Sequence, residues 1–279
     1  MNDTLPPLRD VIERYELGAK KSLGQHFLLD LNMTRKIARV ASVVAGDVVL
    51  EIGPGPGGLT RALLEHGASV IAIERDHRCI EALTEIRRAF DNRLNIIEAD
   101  ALAADERALV GAAAPIKIVA NLPYNISTEL LIKWLKAGPD LWSVMALMFQ
   151  KEVADRILAE PGSKAYGRLS IISQTMSRPS RGFNLPARAF TPPPKVDSTV
   201  VLFEQCETPF SALNALERIT QAAFSQRRKM LRSSLKSVFS EGLGAALDAA
   251  SVKETQRAEE LTVEKFQSLA TYLNNNTSS

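Results

Sequence analysis

The sequence predicts an α/β fold, a mostly parallel sheet covered by helices on both faces, followed by a small all-α domain. Strand-like and helix-like stretches alternate over the first 160 residues, the rhythm of a parallel sheet built from crossover units. Four successive strand ends carry Gly53, Glu74, Asp100 and Asn121, where sheets of this kind bind ligands. From Pro209 onward only helical patterns remain. The expected domains are therefore 1–207 and 208–279.

Leu8, Val11, Ile12 and Tyr15 recur at helical spacing and predict a helix over 8–16. Gly18 to Leu29 reads as a loop. Asp30 then caps a helix over 31–44, with Leu31, Ile37, Val40 and Val44 on its apolar face. Val48–Ile52 is a strand, Gly53–Gly58 a glycine-rich turn, and Leu59–His66 a helix stopped by Gly67. Further strands are expected at 69–73, 94–97, 116–120 and 142–149, with helices at 76–89, 105–110, 127–136 and 151–159. The run 171–176 fits helix or strand. Thr191–Pro194 is a rigid extended segment, and Ser198–Phe203 is a strand suited to close the sheet edge. Helices are expected at 211–224, 228–239, 243–249 and 263–273, with a frayed N-N-N-T-S-S terminus.

The chemistry concentrates at Ile116–Asn125, I-K-I-V-A-N-L-P-Y-N. β-Branched residues build a buried strand. Asn121-Leu122-Pro123-Tyr124 then ends it in a rigid turn, because Pro123 fixes its own φ and biases Leu122 toward an extended conformation. An amide, a carbonyl and an aromatic ring are thereby held together. That set suits an exocyclic adenine amine, whose lone pair is delocalised into the ring. An Asn oxygen and a backbone carbonyl can each accept one of its N–H bonds and free the lone pair for attack. A flat ring can stack on the extruded base. A plain strand-ending turn with a half-buried tyrosine fits the bare motif equally well.

Gly53, Gly55 and Gly58 match G-x-G-x-x-G, and Glu74 follows Gly53 by 21 positions. Glycines let a nucleoside approach the backbone and the acidic residue takes two ribose hydroxyls. This pattern alone fits NAD and S-adenosylmethionine alike. Pro54 and Pro56 remove N–H donors that a pyrophosphate needs, and Asp100 is placed to hold an adenine amine, so the methyl donor is favoured. His66 and His77 read as helix-end and exposed residues rather than hydride-transfer groups.

At 279 residues, with 46% hydrophobic and 24% charged content, the composition is that of a globular protein. No apolar run approaches the ~20 residues that span a bilayer. The first residues, M-N-D-T-L-P-P-L-R-D, show no basic-then-apolar leader, so a cytoplasmic location is expected. Cys79 and Cys206 lie in no metal-ligand cluster; both read as packing residues, and no metal is expected. Net charge is only +2, yet 161–196 and 218–240 each carry six basic residues and no acidic one. Such stretches suit a polyanion, or a solvated basic face.

The chain resembles the ribosomal-RNA adenine dimethyltransferases of the kasugamycin-sensitivity type. The resemblance rests on K-S-L-G-Q-H-F-L (21–28), E-I-G-P-G-P-G-G-L-T (51–60), Glu74, A-D-A-L (99–102) and N-L-P-Y-N-I-S-T (121–128). It continues through M-F-Q-K-E-V-A-D-R-I (148–157), Y-G-R-L-S (166–170), F-x-P-P-P-K-V-D-S (190–198) and F-S-Q-R-R-K-M-L-R (224–232). It implies a Rossmann-like methyltransferase domain with a helical C-terminal domain. It implies dimethylation at N6 of two adjacent adenosines in a hairpin loop near the 3′ end of small-subunit ribosomal RNA, within an assembling subunit. By the same resemblance His26, Leu28, Gly53, Glu74, Asp100 and Asn121 would hold S-adenosylmethionine. Asn121, Leu122 and Tyr124 would be catalytic, with Phe190 as a second stacking aromatic, whereas Phe149 reads as core. Arg227, Arg228, Lys229 and Arg232 would contact RNA phosphates. A DNA adenine methyltransferase, an NAD-dependent oxidoreductase and a non-enzymatic assembly factor are the rival readings. A monomer is expected.

Overall fold

The computed structural model describes residues 5–18, 25–227 and 229–277. Its strands are β1 (Phe27–Leu28), β2 (Val48–Ile52), β3 (Ser69–Glu74), β4 (Leu94–Glu98), β5 (Ile116–Asn121), β6 (Trp142–Gln150), β7 (Arg178–Leu185), β8 (Phe190–Thr191) and β9 (Ser198–Glu204). Seven form one sheet in the order β4-β3-β2-β5-β6-β9-β7, and β1 pairs with β8 in a separate ribbon. The β2–β3, β3–β4, β2–β5 and β5–β6 pairs are parallel, and β6–β9 is antiparallel.

The central strands are parallel because they are apolar on both faces. Val49, Leu50, Ile118, Val119, Ala146 and Leu147 are all fully buried, so both faces need helices. The chain order reverses at β2, with β3 and β4 to one side and β5 and β6 to the other. A crevice opens at the carboxyl ends of the strands at such a reversal, and it is there that Gly53, Glu74, Asp100 and Asn121 meet.

In the first unit the elements depart from expectation at three places. First, 27–28 is not loop. It pairs antiparallel with 190–191, Phe27 opposite Thr191 and Leu28 opposite Phe190. Second, β9 does not close the sheet edge; β7 lies beyond it. Its R-P-S-R-G-F-N-L sequence has no apolar alternation, since it is largely exposed, and so it carries no strand signal. Third, the helix after Asp30 spans Leu31–Val40 and ends early. Ser42 adopts a positive φ of 50°, and Val44 is exposed rather than part of an apolar face.

The chain divides into two compact units, Met1–Ala154 with Ser180–Gln205, and Asp155–Pro179 with Cys206–Ser279. A single boundary near 207 therefore misses the contribution of 155–179. The ambiguous run 171–176 belongs to a helix, Arg168–Met176. Its Ile171 and the neighbouring Tyr166 enter the second unit's core beside Leu216, Ile219 and Phe266. Tyr166 donates its hydroxyl to the Leu261 carbonyl at 2.9 Å. Phe224 lies between Tyr166 and Phe266, its ring centroid 6.3 and 6.0 Å from theirs. The expected helix over 228–239 is two short ones, Leu231–Ser234 and Lys236–Phe239. The last helix, Val263–Thr277, continues through the asparagines expected to fray.

Candidate active site

A cleft at the carboxyl ends of β2, β3, β4 and β5 is lined by His26, Leu28, Gly53, Glu74, Asp100, Asn121, Leu122 and Tyr124 among others. Eight of the residues singled out in the sequence thus meet in one place.

Glu74 ends β3 and is buried. Its Oε1 accepts from the Arg75 and Asp76 amides, both at 2.8 Å, and its Oε2 from the Gly55 amide at 3.0 Å. The glycine turn and the carboxylate therefore fix each other. Burial raises the Glu74 pKa, and the three amides oppose that rise. Gly53, Gly55 and Gly57 all have positive φ, and a Cβ on Gly57 would overlap Ile86. The turn accepts glycine for both reasons.

Asp100 follows β4. Its Oδ1 accepts from the Leu102 amide at 3.0 Å, and its Oδ2 pairs with Arg75 at 3.2 Å. Both oxygens are oriented while the side chain stays partly exposed, as an acceptor of an adenine amine requires. The segment after it is held by Lys133, whose ammonium donates to the Ala101 carbonyl at 3.2 Å and the Ala104 carbonyl at 2.6 Å and pairs with buried Glu106 at 2.8 Å.

Glu51, on β2, also lines the cleft and was not foreseen as a site residue. It is fully buried and accepts the Thr60 hydroxyl at 2.7 Å. Burial pushes its pKa from 4.5 up to about 8. The folded state therefore keeps a proton that the unfolded chain releases above about pH 4.5. Stability should fall as pH climbs from about 4.5 to about 8, at about 1.4 kcal/mol per unit at most. Glu51→Gln stays neutral throughout. Melting curves at pH 5, 6.5 and 8 should show the variant gaining on the wild type with each step, and parallel profiles would refute this.

The Asn121–Tyr124 turn follows β5. Leu122 is buried and anchors it. The Ile126 amide closes back on the Pro123 carbonyl at 3.2 Å, and the Ser127 hydroxyl on the Tyr124 carbonyl at 3.0 Å. Asn121 gives its Nδ2 to the His26 carbonyl at 3.2 Å, which leaves Oδ1 as an acceptor. The Tyr124 hydroxyl bonds Ser198 Oγ at 2.6 Å. Burial raises the Tyr124 pKa, so its ring is a neutral phenol at physiological pH, suited to stacking. Ser198 was also unforeseen. It ends the P-P-P-K-V-D-S run, which carries no sign of which side chain its hydroxyl meets.

Phe190 is not brought into the cleft. It is 2% exposed and packs in the hydrophobic core with Leu28, Ile37 and Val200. Pairing with β1 turns it inward. Phe149 is core, edge-on to Phe203 at 6.2 Å.

The acidic, nucleoside-sized cleft fits S-adenosylmethionine. Glu74 Oε2 keeps a lone pair for a ribose hydroxyl, Asp100 suits the adenine amine, and the two acidic side chains together suit a cationic sulfonium ligand. The model of the family described as ribosomal RNA adenine dimethylase matches residues 17–275. The chain belongs to that family. Members are S-adenosylmethionine-dependent enzymes that dimethylate adenine in ribosomal RNA. The chain is 54% identical over 272 residues to the ribosomal RNA small subunit methyltransferase A of Mesorhizobium japonicum, covering 95% of this chain and 96% of that one. It is 55% identical to the protein of that name from Chelativorans, covering 96% and 98%. Among solved structures, a dimethyladenosine transferase from Plasmodium falciparum superposes with a TM-score of 0.76 at 28% identity, covering 90% of this chain and 98% of that one. The 23S rRNA methyltransferase ErmE superposes with a TM-score of 0.69 at 26% identity, covering 89% and 99%.

The basic residues of the second unit differ in role. Arg227 is engaged by Glu259 at 2.7 Å and by the Ser163 carbonyl at 3.2 Å, so it braces the unit. Lys229 and Arg232 are exposed, Arg232 with a long 3.5 Å pair to Glu254. Arg228 lies outside the described residues. Cys79 is buried, and Cys206 donates its thiol to the Thr175 carbonyl at 3.6 Å.

Proposed function

We propose that the protein transfers methyl groups to N6 of two adjacent adenosines in a hairpin loop near the 3′ end of small-subunit ribosomal RNA, dimethylating each. The observation that carries this reading is the meeting of Glu74, Asp100, Asn121 and Tyr124 on one cleft. It supplies a nucleoside site and an amine site side by side. The substrate is an assembling small subunit, the enzyme acts as a monomer, and its compartment is the cytoplasm, where such subunits are built.

The bound donor supplies an electrophilic methyl group. Asn121 Oδ1 and the Leu122 carbonyl each accept one N–H of the target amine, which pyramidalises the nitrogen. Its lone pair forms the new N–C bond as the S–C bond breaks, and the proton leaves afterwards. No general base is required, because the proton becomes acidic only once the nitrogen is alkylated. Positioning and hydrogen bonds to the developing ammonium carry the rate. In the second round one N–H remains, and one acceptor suffices.

The test is transfer of labelled methyl groups to undermethylated small subunits, with mass spectrometry of the digested RNA. Dimethyladenosine at two adjacent loop positions is expected. Transfer to large-subunit RNA or DNA instead would overturn the substrate. No transfer to any nucleic acid would favour an assembly factor.

RNA phosphates are engaged by the exposed Lys229 and Arg232, and on the resemblance by Arg228. Such contacts position the RNA without reading its sequence. Lys229→Ala and Arg232→Ala should each weaken hairpin RNA binding and lower the slope of log affinity against log salt by roughly 0.7–0.9. Unchanged slopes in both would place the phosphate contacts elsewhere.

A further inference from the structure

We propose that Lys133 is a positioning residue for the donor's base: it closes the 100–104 turn so that Asp100 selects adenine by its amine. The inference rests on the reading of Asp100 as the acceptor of that amine and deepens it.

The turn after β4 has two faces. Its amides point back at Asp100. The Leu102 amide donates to Asp100 Oδ1 at 3.0 Å, and the Ala103 and Ala104 amides donate to the Asp100 carbonyl at 3.1 and 3.0 Å. Its carbonyls converge on Lys133 instead. The ammonium donates to Ala101 at 3.2 Å and to Ala104 at 2.6 Å, and the Leu102 carbonyl lies 3.5 Å away. Glu106 Oε2 approaches the same nitrogen at 2.8 Å. An ammonium has three protons, and the Ala101, Ala104 and Glu106 oxygens occupy them.

Asp100 depends on this turn for its aim. Its side chain is 41% exposed, and its pair with Arg75, itself 68% exposed, is of the solvent-screened kind that fixes little. The Leu102 amide therefore sets the carboxylate, and Lys133 sets the loop that carries this amide. Lys133 in turn is fixed from the core. Glu106 is buried and its Oε1 accepts the N–H of fully buried Trp134 at 2.9 Å, and a buried carboxylate holds its cation firmly. Asp100 and Leu102 line the cleft, whereas Lys133 is not among its lining residues. Lys133 thus acts on the ligand only through Asp100. Loosening the turn leaves Glu74 and the glycine turn to hold the ribose and methionine parts, and costs the recognition of the base alone.

The test is calorimetry on the full chain with S-adenosylhomocysteine and with S-inosylhomocysteine, which bears a carbonyl where adenine bears its amine. The wild type should prefer the adenosyl ligand by about tenfold or more. Lys133→Met alone leaves Glu106 buried without its cation, a change that can unfold the protein. It is therefore also made with Glu106→Gln, whose oxygen still accepts the Trp134 N–H. The double variant should bind the adenosyl ligand about tenfold more weakly and the inosyl ligand within about twofold of wild type, so the preference collapses. Lys133→Arg, which keeps a cation for Glu106 and N–H donors for the carbonyls, should return most of it. A folded double variant with the wild-type preference would overturn the proposal. Equal weakening of both ligands would do the same, since Lys133 would then be a general prop of the cleft. A wild type that binds both ligands alike is a distinct failure, which removes Asp100 from the amine and the proposal with it.

Discussion

Asn121→Ala should lower single-turnover methyl transfer by about 10²–10³-fold, the usual cost of removing one aligned hydrogen-bonding group from a transition state. The donor's affinity should fall less, by under about tenfold. The reason lies in how the turn is built. Asn121 closes β5, and its neighbours hold their places without its side chain. Leu122 is buried, Pro123 fixes the backbone, and Tyr124 is tied to Ser198. The variant loses the amine acceptor and the Nδ2 bond to the His26 carbonyl, while Gly53, Glu74 and Asp100 stay in position. Calorimetry with the donor and a single-turnover assay on undermethylated subunits separate the two effects. Near-normal turnover in the variant would remove Asn121 from the chemistry.

Glu74→Gln should weaken S-adenosylmethionine binding by roughly 10–100-fold and also lower the melting temperature. Three backbone amides converge on this carboxylate, two on Oε1 and one on Oε2. A glutamine amide has one oxygen and one NH2. Whichever way it turns, its NH2 meets at least one of those N–H groups, and a buried donor is left unmade at about 1–3 kcal/mol. The glycine turn loses its anchor at the same time as the ribose loses an acceptor. Isothermal titration and thermal unfolding of the ligand-free protein would measure the two losses. A variant with normal melting and normal donor affinity would contradict both the anchoring and the ribose assignment.

The strands that bear the site were readable because burial on both faces forces apolar runs, as in Val48–Ile52 and Ile116–Ala120. The turn residues were readable because glycine, proline and a strand-end acid each have few other uses at those positions. What escaped was tertiary in origin. β7 is exposed and has no period of its own. β1 and β8 are two residues each, too short for any pattern. Glu51 read as one member of a glycine-rich motif, and only the fold reveals that its carboxyl is sealed from water. Arg227 and Arg232 look equivalent in sequence, yet one braces Glu259 and the other is exposed.

The β1–β8 ribbon bears on how the protein comes into being. It joins residues 27–28 to 190–191, so the wall of the cleft formed by Phe27 and Leu28 is backed by a segment more than 160 residues later. Such a distant pairing forms late, after its loop has closed. During synthesis the glycine turn, Glu74, Asp100 and Asn121 can all be in place before that wall has its partner. A nascent chain halted ahead of residue 190 therefore carries all four of these strand-end features and an unbacked cleft wall.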